Sequence, residues 1–176
     1  MPSLTKKAII RSFLHLAGKK TIDKITVRDI VDDCGVNRNT FYYYFQDIYA
    51  VLEELCDGVL ERLPEQGELH EVLGTLYRSI LYFCEKYPHA AKSLAVSLGF
   101  EGVERYFAGG VDAAIRSCYE HAGHPCPNGT ELRMIRHATL GLCLDAMRDP
   151  KHLPENSLEL EEFLRTLPTL KRPCEQ

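Results

Sequence analysis

Between its glycines and prolines this chain repeats apolar residues every three to four positions almost throughout, and it shows no sustained strand-like alternation. A stripe of that period can be buried only along one side of a helix, so the periodicity predicts an all-α fold with nine to ten helices. The first is expected over Thr5–Ala17, where Ala8, Ile9, Phe13, Leu14 and Leu16 form the apolar side and Gly18 ends it. After a linker over Lys19–Ile25, Thr26 is placed to cap a second helix, Val27–Cys34, with Val27, Ile30 and Val31 buried. Gly35 permits a tight turn, and Asn37 caps a third helix, Arg38–Phe45. Longer helices are expected over Asp47–Leu63, stopping before Pro64, and over Glu68–Tyr87. Pro88 suits the first turn of a helix over Pro88–Leu98. Shorter pieces follow over Glu101–Phe107 and Val111–His121, with Ala108-Gly109-Gly110 between them. A loop over Gly123–Gly129 leads to helices at Thr130–Met147 and Ser157–Leu167.

Several function classes drop out on composition. No stretch approaches the roughly 18 uninterrupted apolar residues of a membrane span, and the apolar patch Ala8–Ile10 is cut by Arg11, so neither a span nor a signal peptide is expected. Seven cysteines, an odd number set mostly singly among apolar neighbours, fit reduced core thiols and a cytoplasmic location. No phosphate-cradling glycine loop, nucleophile with a base or paired acid and base is visible, so neither catalysis nor a cofactor is expected. Charge is divided unevenly. Residues 1–47 carry eight Lys/Arg against five Asp, net +3, while residues 48–176 carry thirteen Lys/Arg against twenty Asp/Glu, net −7. A basic head on an acidic body suggests that the head alone meets a polyanion.

The most informative segment is Thr26–Phe45, TVRDIVDDCGVNRNTFYYYF: two short capped helices one glycine-containing turn apart, which is helix-turn-helix spacing. The second helix of such a unit enters the major groove N-terminus first, so Arg38, Asn39 and Thr40 are placed to reach base edges and phosphates. Tyr42, Tyr43 and Tyr44 point about 100° apart on a helix, so at least one ring must face outward, its hydroxyl free to donate to a phosphate oxygen.

At these residues the chain resembles the TetR/AcrR family of bacterial transcriptional regulators. That family's signature is a threonine-capped helix, an Ala/Cys-Gly-Val turn and a recognition helix of the form Ser/Asn-x-x-Thr-Phe/Leu-Tyr-x-Tyr/His-Phe. The likeness covers about Thr5–Leu55, and Asn37–Leu55 is similar to the subgroup that includes activators of dihydroxyacetone-kinase operons. The resemblance implies a DNA-binding domain over residues 1–47 and a helical effector-binding and dimerisation domain over 48–176. It implies phosphate contacts from Thr26, Thr40, Tyr42 and Tyr44, groove or base contacts from Arg28, Arg38, Asn39 and Tyr43, with Asn37 opening the recognition helix, and buried positions at Val36, Phe41 and Phe45. Many members carry a phosphate-binding lysine at the start of the fourth helix, where this chain has Gln46-Asp47-Ile48-Tyr49. That contact is then lost, or taken over by the helix N-terminus or by Lys6/Lys7. The partners implied are double-stranded operator DNA, a second copy of the chain pairing through 130–147 and 157–167, and a small-molecule effector. Tyr77, Phe83, Phe100, Tyr106, Phe107, Tyr119 and Met134 are the candidates for lining its pocket, each equally suited to ordinary packing.

Two further patterns have plainer readings. Cys118-x-x-His121-x-x-His124-x-Cys126 has the residue types of a zinc site, but a helix terminus followed by a Pro/Gly loop accounts for it, and no metal is expected. Asn128-Gly129-Thr130 reads as a turn and helix cap, and Met134 and His137 as core positions of their helix. The rival to operator binding is a degenerate regulator that keeps the fold and acts as a protein-interaction module.

Overall fold

A computed structural model describes residues 4–149 together with Glu162 and Arg165. The expected Ser157–Leu167 helix lies outside the described residues apart from those two. Within them the chain forms seven α-helices and no strand: α1 Leu4–Ala17, α2 Val27–Cys34, α3 Arg38–Tyr44, α4 Ile48–Leu60, α5 Leu69–Lys86, α6 Pro88–His121 and α7 Gly129–Arg148, with a 3-10 turn at Ile22–Lys24.

Local signals account for most boundaries. Thr26 and Asp29 form a reciprocal capping box at the start of α2, and Gly35 ends it in the left-handed region at φ 72°. Asp47 caps α4 through Oδ1, which accepts from the Tyr49 and Ala50 amides at 2.8 and 2.9 Å. Asn128 caps α7, accepting from the Thr130 and Glu131 amides at 2.9 and 3.0 Å, so the cap is Asn128 itself and the helix begins at Gly129.

The nine-to-ten count is corrected in the segment after Pro88. Where three pieces were expected, one helical span runs from Pro88 to His121, interrupted at Gly99 alone, whose φ 59° and ψ −170° no helix contains. The break before Phe100 is therefore real, whereas the expected one at Gly109-Gly110 does not occur. Packing explains the difference. A Cβ on Gly110 would lie 2.5 Å from Leu60 Cδ1, so the missing side chain is the notch that seats the end of α4 on α6. Gly109 faces open space, and both glycines stay helical because neighbouring helices hold the span.

Helices α1 to α3 form a head with a core of Ile9, Phe13, Ile30, Phe41 and Phe45. Ser12 Oγ donates to the Ile30 carbonyl at 3.2 Å and ties α1 to α2. The head is seated on α6, where Ser93 Oγ donates to the Lys20 carbonyl at 3.2 Å and the Ile22 amide reaches Ser97 Oγ at 3.5 Å. The body is built on the packing of α6 against α7, with α5 against both and α4 bridging back to α1. One polar clamp joins α6 to α7. Arg136 reaches Asp112 at 2.6 Å and Glu104 at 3.0 Å, and His137 Nε2 meets Glu104 at 2.8 Å. The His137 and Arg136 hydrogen bonds hold the Glu104 carboxyl below its ordinary value, and Asp112 raises Arg136.

Candidate nucleic-acid interface

Helix α3 is presented by the short range of its own signals. Phe41, fully buried, and Phe45, 4 % exposed, lie four apart on the inner side and anchor the helix, an anchor worth about 1.5–3 kcal/mol per ring. That fixes which residues face out. Asn37, Arg38, Asn39, Tyr42 and Tyr43 are exposed, Tyr43 most among the tyrosines at 81 %, and Thr40 and Tyr44 are half-buried. Val36, expected to be buried, is partly so and packs on the core.

Several of these side chains are already positioned. Asn37 Oδ1 accepts from the Thr40 amide at 2.8 Å and from the Thr40 hydroxyl at 3.0 Å, closing the first turn of α3. Arg38 Nη2 donates to Tyr42 Oη at 3.2 Å, with its guanidinium 5.6 Å from the Tyr42 ring centroid, so cation and ring form one unit on the outer face. Tyr43 and Tyr44 meet edge to face at 4.9 Å. On α2, the exposed Thr26 hydroxyl donates to Asp29 Oδ2 at 2.7 Å, and Lys20 reaches the same oxygen at 2.7 Å. Those Lys20 and Thr26 bonds lower the Asp29 carboxyl to about 2. Arg28 is exposed and pairs across one turn with Asp32 at 3.5 Å, a surface contact weak enough to exchange for another anion. All nine expected residues thus belong to α2, α3 or their caps. Thr26 and Asn37 also do structural work as caps, which their Ser/Thr/Asn/Asp chemistry signals in the sequence.

At the start of α4 the helix N-terminus is already taken, while Lys7 stays exposed on α1. The Asp47 carboxylate occupies the first amides of α4, so this N-terminus presents a negative charge. Lys6 reaches Glu54 Oε1 at 2.5 Å and lies 5.7 Å from the Phe45 ring centroid. What the structure adds to the surroundings of α3 is the Asp47 cap and the engagement of Lys6 with Glu54 and Phe45, beside an exposed Tyr49.

A second feature lies behind the head. A cavity of about 290 Å3 is bordered by Ile10 and Leu14 of α1, Leu52 and Leu55 of α4, Phe83 of α5 and Phe107 of α6. Of the aromatic candidates read from the sequence, Phe83 and Phe107 border it. Tyr77 and Tyr119 are core residues, Phe100 stacks edge to face on His137, and Tyr106 is half-buried. Met134 is 67 % exposed and His137 is engaged with Glu104. Reading these two as core is corrected: Met134 faces out from α7 among the described residues, and His137 is half-buried at the seam with α6. The cavity escaped sequence reading because its walls come from five helices far apart in the chain, Met147 of α7 among them. Cys118 is buried and Cys126 exposed, and among the described residues no three metal-ligating side chains come together. Nor is any helix there long and apolar enough to cross a membrane.

Fold and surface together define a helix-turn-helix protein: a three-helix head presenting α3, carried on a helical body. Residues 9–55 match the family described as "Bacterial regulatory proteins, tetR family". The HTH-type transcriptional regulator YvdT of Bacillus subtilis is 29% identical over 75 residues, 40% of this chain and 39% of YvdT, so the match spans about two fifths of that relative. The likeness to that family thus spans the helix-turn-helix head and the first part of α4. The same fold is seen in the dihydroxyacetone kinase operon activator DhaS, at 15% identity and TM-score 0.64, covering 92% of this chain and 94% of that one. It recurs in NalD, the secondary repressor of the MexAB-OprM multidrug efflux pump in Pseudomonas aeruginosa, at 21% identity and TM-score 0.62, covering 92% and 94%.

Proposed function

We propose that this chain is a homodimeric, non-enzymatic, cytoplasmic regulator that binds operator DNA through residues 1–47 and answers to a small-molecule effector held by residues 48–176. The observation that carries the reading is the outward face of α3, where Arg38, Asn39, Tyr42 and Tyr43 stand exposed on a helix locked from beneath by Phe41 and Phe45. The leading turn of α3 enters the major groove. Arg28, Arg38, Asn39 and Tyr43 address the groove, and Thr26, Thr40, Tyr42 and Tyr44 address phosphates, with Asn37 holding the first turn in shape. Two-fold pairing through 130–147 and 157–167 sets two such helices about 34–36 Å apart on a pseudo-palindromic site. The exposed Met134 on α7 supports that face as the pairing side. The effector reading is supported by the cavity walls, because α1 and α4 both line it and both flank the helix-turn-helix, so filling it moves the head.

Fluorescence anisotropy on the DNA flanking the chain's own gene tests this. Wild-type protein binds selectively over scrambled DNA, while Arg38→Ala and Tyr42→Ala weaken binding about tenfold or more and leave the dimer intact. Absence of any sequence-selective binding at low salt transfers the assignment to the protein-interaction reading. That rival is favoured by Asp47 at the start of α4 and by the engagement of Lys6 and Lys20 with acidic partners.

A further inference from the structure

The cavity is apolar for most of its depth, and its charged border is unbalanced. Arg62, just beyond the end of α4, and Lys86, in the last turn of α5, both border it, and among the described residues neither is in an ion pair. The acidic side chain on the border, Glu54, is already matched by Lys6 at 2.5 Å. Lys86 is held in place, its ammonium 5.6 Å from the Tyr82 ring centroid and 5.5 Å from that of Tyr87. Such an aromatic clip fixes a cation without neutralising it, leaving its charge for a third party. The border therefore carries two cations with no matching anion, over walls of Leu, Ile and Phe.

We infer that the cavity takes an organic anion with an apolar body, its headgroup held between Arg62 and Lys86 and its tail lying among Leu14, Leu52, Leu55 and Phe107. This rests on the effector reading above and names the chemical class of the effector. Size follows from volume. At about 30 Å3 per water in the liquid, 290 Å3 corresponds to roughly ten waters, hence to a ligand on the order of ten to fifteen non-hydrogen atoms. The headgroup joins the end of α4 to the end of α5, and α4 runs back to α1 and the head, so binding of the anion fixes the helix that carries the DNA-reading unit.

The experiment uses three ten-carbon amphiphiles of equal tail, decanoate, decanol and decyltrimethylammonium, below their aggregation concentrations, with isothermal titration calorimetry on the full chain. The expected result is one decanoate per chain, bound about tenfold or more tighter than decanol, with the ammonium amphiphile weakest. Arg62→Gln and Lys86→Gln, both at exposed positions, each bring decanoate to the level of decanol and leave decanol unchanged. Leu55→Trp, which narrows the cavity where the tail lies, weakens decanoate binding; undiminished affinity in that variant places the amphiphile elsewhere and overturns the assignment. Decanol or the ammonium amphiphile binding best overturns the anionic class while leaving the cavity a ligand site. Failure of all three, with sequence-selective DNA binding intact, overturns both the class and the effector reading but not the DNA-binding one.

Discussion

Asn37 tests whether the leading end of α3 is held and aimed as described. Its Oδ1 satisfies the Thr40 amide and hydroxyl at 2.8 and 3.0 Å, and α3 has just seven residues, fewer than a helix needs to persist unaided. Removing a capping acceptor costs about 1 kcal/mol, and for a chain of this length that lowers Tm by about 2–4 °C. Asn37→Ala should show that loss in thermal denaturation followed by circular dichroism. Asn37→Ser keeps an acceptor and should stay within about 1 °C of wild type, since the two residues are near-equivalent caps. Asn37→Asp separates capping from DNA contact. It keeps the cap and suits the helix dipole, so Tm holds, but it places a carboxylate where phosphates approach. Two charges about 4 Å apart in water repel by about 1 kcal/mol. On the proposed dimer, with two heads per operator, the loss is about 2 kcal/mol, about thirtyfold in affinity at low salt and less at high salt. An unchanged Tm for Asn37→Ala refutes the capping argument, and wild-type DNA affinity for Asn37→Asp refutes the orientation of α3.

Three other perturbations follow from the same packing. Gly109→Ala meets nothing within 4 Å and should stabilise α6 by about 1 kcal/mol, whereas Gly110→Ala forces its Cβ to 2.5 Å from Leu60 Cδ1 and should lower Tm below that of Gly109→Ala. Equal melting temperatures would mean that α4 is not seated in that notch. Asp29 sits at about 2 against an ordinary 3.8, so its carboxylate contributes stability that is fully present above about pH 4 and fades as pH falls from 3.8 towards 2. Urea midpoints between pH 5 and 2 should fall less steeply for Asp29→Asn, and identical slopes would count against the Lys20 and Thr26 contacts. Burial pushes the thiols of Cys56 and Cys143 up to about 12 and those of Cys84 and Cys118 up to about 11. Iodoacetamide at pH 8 followed by mass spectrometry should therefore modify the exposed Cys126 first and these four only on unfolding. Modification of Cys143 at the rate of Cys126 would contradict the packing of α7 on α5.

What the sequence by itself determined lies within a few residues of its own cause. The caps Thr26 and Asn37, the left-handed Gly35 and the Phe41/Phe45 spacing were legible because each acts on amides or a helix face one turn away. Those same residues set which side of α3 faces outward, so most of the candidate interface was legible with them. Partners distant in the chain decided the rest. Gly99 and Gly109-Gly110 look alike as sequence, yet one breaks α6 and the other does not, because Leu60 of α4 fills the space over Gly110. Arg136 and His137 are committed to α6 by Glu104 and Asp112, 24 to 33 positions earlier in the chain. The cavity exists where α1, α4, α5, α6 and α7 fail to close completely, and the charges on its border were ordinary surface residues until the fold set them around one opening. A cap or a turn is decided by neighbours the chain cannot separate, whereas a void or a long-range ion pair depends on which distant surfaces pack, and the periodicity of a single helix does not specify that choice.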